Sequence, residues 1–288
     1  MCDERTVADD LEYLSSKGIT RRQFSVGSAG AGFAALLARP ANALEVTASE
    51  IDVKTPDGVA DCHFVHPASG AYPGVLIWPD AFGLRPAMRQ MAGRLAESGY
   101  SVLVVNQYYR LQRAPVVSST NFAEVRSTVR PLMASLNAET HKRDAKAFVS
   151  FLDSQPSVDG GRKMGTMGYC MGGPITMRSA AAVPDRIGAG ASFHGGGLVT
   201  DRPDSPHLLV PKMKAHYLFA IAENDDASQP EAKDVLRDAF AQAGLPAEIE
   251  VYEGARHGWC PPDTQVYNEA QAERAWSRLL ALFERALT

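Results

Sequence analysis

Cysteine is scarce in this 288-residue chain, which has four: Cys2, Cys62, Cys170 and Cys260. None forms a CxxC pair or stands at zinc spacing from a histidine, so no structural metal site is indicated. An excess of one charge is lacking too. The formal net charge is −4, with 22% charged residues and no basic stripe, which argues against nucleic acid as a partner. No apolar run reaches the roughly 20 residues of a membrane-spanning helix. No repeat and no linker breaks the chain. What remains is an ordinary globular composition, 45% hydrophobic, at a length that one large α/β domain can fill.

The first forty-odd residues differ from the rest. Thr20-Arg21-Arg22-Gln23-Phe24 leads into a Gly/Ala-rich, weakly apolar run to Ala38, then Pro40 and Ala41-Asn42-Ala43. A basic segment, a short apolar segment and a small-residue site, in that order, describe a cleavable signal. The adjacent arginines make it twin-arginine in type, a signal that hands the precursor to the twin-arginine export machinery. Residues 1–43 thus read as a signal peptide with a disordered n-region, and 44–288 as a single domain with no membrane part, periplasmic or secreted. The alternative is a cytoplasmic protein with an uncleaved tail. Cleavage after Ala43 removes Cys2 and leaves three cysteines, so at least one free thiol is expected in an oxidising compartment.

From there the pattern alternates. Val46–Lys54 and Gly58–His66 flank the turn signal Thr55-Pro56-Asp57-Gly58. Gly74–Trp78, Tyr100–Asn106, Lys163–Met167, Ile187–Phe193, His216–Ala222 and Glu248–Tyr252 read as strands, most of them short apolar runs. Pro86–Glu97, Asn121–Leu136, Glu139–Leu152, Met171–Ala182, Pro230–Ala243 and Thr264–Leu287 carry helical spacing. Strands alternating with helices imply a doubly wound, mostly parallel sheet with helices on both faces.

Gly168-Tyr169-Cys170-Met171-Gly172-Gly173 lies between a predicted strand and a predicted helix, the context a G-x-nucleophile-x-G elbow requires. Such a turn lifts its central side chain above the carboxyl edge of the sheet, and the following helix N-terminus favours a thiolate. The Met171 amide would face a developing oxyanion. A nucleophile needs a base, and the base an orienting acid. His257 follows the last predicted strand. Asp225 follows the strand at His216–Ala222, with Asp226 or Glu223 as other choices. The order Cys170, acid, His257 is that of α/β-hydrolases.

The elbow, the Asn224-Asp225 corner and the His257 loop resemble those of the dienelactone hydrolase family, over about Ile51 to Phe283. The resemblance implies an α/β-hydrolase fold and an ester or enol-lactone hydrolase working through a Cys-His-Asp triad and a thioester. It implies an oxyanion hole completed by the Ala81 amide, in Pro79-Asp80-Ala81-Phe82-Gly83-Leu84. It also implies a substrate carboxylate held by Arg110, in Asn106-Gln107-Tyr108-Tyr109-Arg110. Asp80 stands where members have a glutamate that holds the resting thiol; it either keeps that task or caps the next helix. Pro261 stands where lactone-cleaving members have a second carboxylate-binding arginine, leaving Arg110 to bind alone.

Other residues are candidates for the pocket wall. Tyr108 and Trp259 are large side chains beside the motif residues. His194, before Gly195-Gly196-Gly197, either lines the pocket or is a strand-end histidine bonded to backbone. No cofactor or metal is implied. The substrate is a small ester or lactone, and the protein a monomer or homodimer. A non-catalytic or redox-sensing binding protein on the same fold is the alternative function.

Overall fold

The computed structural model describes residues 42–288 together with Glu12. The expected leader, 1–43, therefore falls almost wholly outside the described residues.

Eight strands form one mixed sheet in the order β1-β2-β4-β3-β5-β6-β7-β8. They are β1 (Val46–Thr55), β2 (Gly58–Pro67), β3 (Gly74–Trp78), β4 (Ser101–Val105), β5 (Met164–Tyr169), β6 (Ile187–Phe193), β7 (His216–Ala222) and β8 (Ala247–Tyr252). The β1–β2 hairpin and the β2–β4 pair are antiparallel, and every other pairing is parallel. All side chains of β3, β4, β5 and β6 are buried. Helices cover both faces of these parallel strands, which explains near-continuous apolar runs in place of alternation.

The helices are α1 (Pro86–Glu97), α2 (Phe122–Ala134), α3 (Ala138–Asp153), α4 (Gly172–Ala182), α5 (Glu223–Ser228), α6 (Ala232–Gln242) and α7 (Glu269–Ala286). A 3-10 helix spans Pro206–Lys212. In α1, Pro86 occupies the first turn, where its missing N–H costs nothing. The buried residues Ala87, Met88, Met91, Ala92, Leu95 and Ala96 recur at helical spacing and make its core stripe. In α3 the Asn137 side chain accepts from the Thr140 amide while Thr140 Oγ1 accepts from the Asn137 amide, a capping box worth about 1 kcal/mol. One core joins α1 and α7 to one face of the sheet. A second joins α3, α4 and α6 to the other.

The register places the functional edge. Trp78 at the end of β3 pairs with Gly168 of β5, Tyr169 with Phe193 of β6, Phe193 with Ala220 of β7, and Ala222 with Tyr252 of β8. The loops leaving β3, β5, β6, β7 and β8 therefore emerge side by side at one carboxyl edge. Strand order reverses around β3, and ligands of open α/β sheets bind outside such a point. Two elements differ from the sequence expectation. Asp225 lies in the one-turn helix α5 rather than a loop, and the 3-10 helix was not expected. Both are too short to show a period.

Candidate active site

Cys170 follows β5 in a left-handed backbone conformation, φ +52°, strained for a residue with a side chain. The turn is held by close packing of its glycines. A Cβ on Gly168 would lie 2.3 Å from the Gly172 carbonyl oxygen, and one on Gly172 would lie 2.3 Å from that of Trp78. The Cys170 amide donates to Phe193 O at 3.0 Å and to His194 Nδ1 at 3.1 Å. Cys170 is 2% exposed. Its sulfur is hydrogen-bonded with His257.

His257 is buried at 3% exposure. Its Nδ1 lies 2.8 Å from Asp225 Oδ2 and 3.0 Å from Oδ1. Its amide donates to Asn224 Oδ1 at 2.9 Å. The three candidate acids now separate. Asp225 touches the imidazole, Asp226 is paired with Lys233 at 2.6 Å, and Glu223 accepts the Gly254 amide at 3.0 Å. Burial pulls the His257 imidazole down, but the Asp225 carboxylate and the Cys170 sulfur outweigh it and push the pKa up to about 10. An imidazolium against sulfur favours thiolate.

Ala81 and Met171 carry the amides expected to hold an oxyanion. Neither amide has an acceptor among the described residues. Ala81 is fully buried, and a buried N–H without a partner is uncommon outside functional sites. Tyr108 braces both positions, with its hydroxyl 3.0 Å from Ala81 O and 3.1 Å from Met171 Sδ. Ala81, Phe82, Phe122 and Val129 form an apolar cluster against Met171, with α2 as one wall.

Asp80 is engaged by its own loop and by Arg85. Its Oδ1 accepts from the Phe82 amide at 2.9 Å and from Arg85 at 2.7 Å, and its Oδ2 accepts from Arg85 at 2.9 Å. Arg85 donates through its other edge to Asp263, at 2.7 and 3.0 Å. Asp80 and Arg85 are 3% and 4% exposed. Burial holds the Asp80 carboxyl above its ordinary range despite Arg85. This bridge ties the Ala81 loop to the chain that follows His257. Sequence reasoning missed Arg85 and Asp263 because their partnership spans 178 residues.

The expected carboxylate grip by Arg110 is not assembled. Every guanidinium nitrogen donates to Asp144 of α3 or to Asp57 of the β1–β2 turn, at 2.6–3.0 Å, and the group lies over the Tyr109 ring. Asp57 and Asp144 satisfy Arg110, so it offers no open edge to substrate. His194 and Trp259 do come together: their rings are 5.2 Å apart, and His194 lies 5.0 Å from His257, both edge-on. Cys62 and Cys260 are buried free thiols, so no disulfide joins them.

The family model "Dienelactone hydrolase family" matches residues 61–287. A protein of Methylorubrum extorquens, whose carboxymethylenebutenolidase name is provisional, is 28% identical over 96% of this chain and 97% of its own. A carboxymethylenebutenolidase of Rhodococcus opacus is 26% identical over 82% of this chain and 90% of its own. Among solved structures, a dienelactone hydrolase-like promiscuous phosphotriesterase from metagenomic libraries superposes with a TM-score of 0.70 at 24% identity, covering 85% of this chain and all of that one. With the fold, the elbow and a family match over most of its length, this chain belongs to the dienelactone hydrolase family.

Proposed function

We propose that the protein hydrolyses small carboxylic esters or enol lactones through a Cys170–His257–Asp225 triad and a covalent thioester. The observation that carries this reading is the continuous contact from the Cys170 sulfur through His257 to Asp225, beside two buried-loop amides without acceptors. The names of the relatives support the ester or lactone class.

The chemistry follows from the positions. The Cys170 thiolate adds to the acyl carbonyl, and the Ala81 and Met171 amides stabilise the oxyanion. As the intermediate collapses, the C–O bond to the leaving alcohol or enol breaks, and His257 supplies its proton. Water then enters, gives a proton to His257 and attacks the thioester. The carboxylic acid leaves and the thiolate returns. Asp225 holds the imidazole orientation throughout. A thiolate leaves readily, so activated acyl groups suit this site better than amides. With Arg110 satisfied by Asp57 and Asp144, the reading does not require a substrate carboxylate. The apolar wall of Phe82, Phe122 and Val129 suits an uncharged acyl or alcohol portion.

The test is pre-steady-state hydrolysis of a p-nitrophenyl ester. Wild type should give a burst of one product per site, and Cys170→Ala should give none. An equal burst from both sinks the nucleophile. We also propose export of the precursor through the twin-arginine leader, with cleavage near Ala43. The N-terminus of the processed protein decides this, and a start at Met1 counts against it.

A further inference from the structure

His194 is the first residue after β6, and only a backbone with φ +42° lets it turn back over the elbow. It is one of two non-glycine residues with positive φ in the described chain, Cys170 being the other. The two are joined: the Cys170 amide donates to His194 Nδ1 at 3.1 Å. The His194 amide in turn donates to Ala220 O of β7 at 2.8 Å. Two strained residues at the ends of neighbouring strands thus lock each other through one ring nitrogen.

That bond decides the tautomer. A nitrogen that accepts cannot carry the hydrogen in a neutral ring, so the proton sits on Nε2. The ring is 1% exposed, and burial, then the neighbouring His257, holds its pKa well below the imidazole range. Nε2 is buried and has no acceptor among the described residues. A buried donor without a partner in a native structure calls for an explanation, and an absent ligand atom is one.

Resting on the reading of Cys170 as nucleophile, we propose that His194 is a positioning residue with two tasks. Its Nδ1 anchors the nucleophile backbone, and its Nε2–H donates to the oxygen of the water that enters to hydrolyse the thioester. A backbone-bonded strand-end histidine would perform the first task without the second.

Amide variants separate the tasks. The Asn oxygen can occupy the place of Nδ1, and Asn tolerates positive φ. Gln reaches toward Nε2 but removes the Nδ1 acceptor, leaving the Cys170 amide with Phe193 O alone. Phe keeps only the shape. The readouts are alkylation of Cys170 by iodoacetamide, followed on its own peptide, and burst and steady-state hydrolysis of p-nitrophenyl acetate. His194→Asn should keep alkylation and burst rates near wild type. Its steady-state turnover should fall about tenfold, the worth of one hydrogen bond. His194→Gln and His194→Phe should lose alkylation rate by about tenfold or more. Wild-type alkylation in the Gln variant overturns the anchor. Wild-type turnover in the Asn variant overturns the donor. If Phe does not fold, the contrast between Asn and Gln still decides. Cys170→Ala is the separate control: a burst retained there defeats the nucleophile reading itself, whereas a burst lost there with unaltered His194 variants defeats only this inference.

Discussion

Replacing Arg85 by methionine tests the reading of the Asp80–Arg85–Asp263 bridge. Methionine keeps much of the apolar stem and removes the charge and all four donor contacts to the two carboxylates. Asp263 is 25% exposed at its side chain and can turn to water, but Asp80 at 5% cannot. Removing one partner of a buried pair costs about 3–5 kcal/mol, most of it the uncompensated charge left behind. The cost should depend on pH. Burial already holds the folded Asp80 carboxyl above its ordinary value, with Arg85 acting against it. An acid with a higher pKa folded than unfolded binds more protons in the folded state between those two values. It therefore removes stability as pH rises through that window. Losing Arg85 extends the window upward. In urea unfolding at two pH values, Arg85→Met should be destabilised more at the higher pH than at the lower, where Asp80 folds protonated at less cost. Adding Asp80→Asn to Arg85→Met should flatten that dependence. A loss below about 1 kcal/mol, or one equal at both pH values, would refute a buried charge bridge between the two loops.

Four further outcomes are expected. The kcat/KM profile should hold a plateau into the alkaline range and fall as pH rises through about 10, because His257 stays protonated until then. The same raised pKa stabilises the fold fully below the free imidazole value, and that contribution fades as pH rises through about 10; an alkaline limb below about 8 contradicts the Cys170–His257 pair. Asp225→Asn should lower kcat on the order of 10²- to 10⁴-fold with little change in KM, whereas Asp226→Asn should leave kcat near wild type. Arg110→Gln should cost about 3 kcal/mol in denaturant unfolding, because Asp144 is left buried and short of charge; it should shift KM equally for neutral and carboxylate-bearing esters, and a selective loss for the latter would return Arg110 to the site. Gly172→Ala should cost at least about 1–3 kcal/mol and most of the burst, since its Cβ would meet the Trp78 carbonyl.

The legible parts of this chain were those with a local signature. The strand Gly74–Trp78 and the helix Pro86–Glu97 could be read to the residue, because Pro73 and Pro79 bound the short apolar run and the amphipathic stripe starts at a proline and stops before Gly99. The Cys170 elbow was legible because its glycines are required by contacts within a few residues. Its partners could be placed because strand order at a carboxyl edge follows chain order in this fold. The choice of Asp225 over Glu223 and Asp226 rested on the resemblance of the Asn224-Asp225 corner and not on a local signal. All three share one turn, and only the tertiary positions of Gly254, His257 and Lys233 separate them.

Arg110 marks where reading by resemblance met local physics. A motif position says which residue can reach a place, not whether another group has already claimed it. Asp57 sits on a hairpin turn and Asp144 on a helix face, where each reads as an ordinary surface or helix-face carboxylate. Together with the Tyr109 ring they claim the guanidinium. The converse holds for Arg85, which no motif singled out. It occupies the position where one cation can satisfy the Ala81 loop, through Asp80, and the chain that follows His257, through Asp263, at once. The Arg85 charge is thus committed to holding two loops in register. On the proposed reading, a substrate would meet the Phe82–Phe122–Val129 cluster and the Cys170–His257 pair, with Arg85 and Arg110 already claimed, and selectivity should follow the shape and reactivity of the acyl group more than its charge.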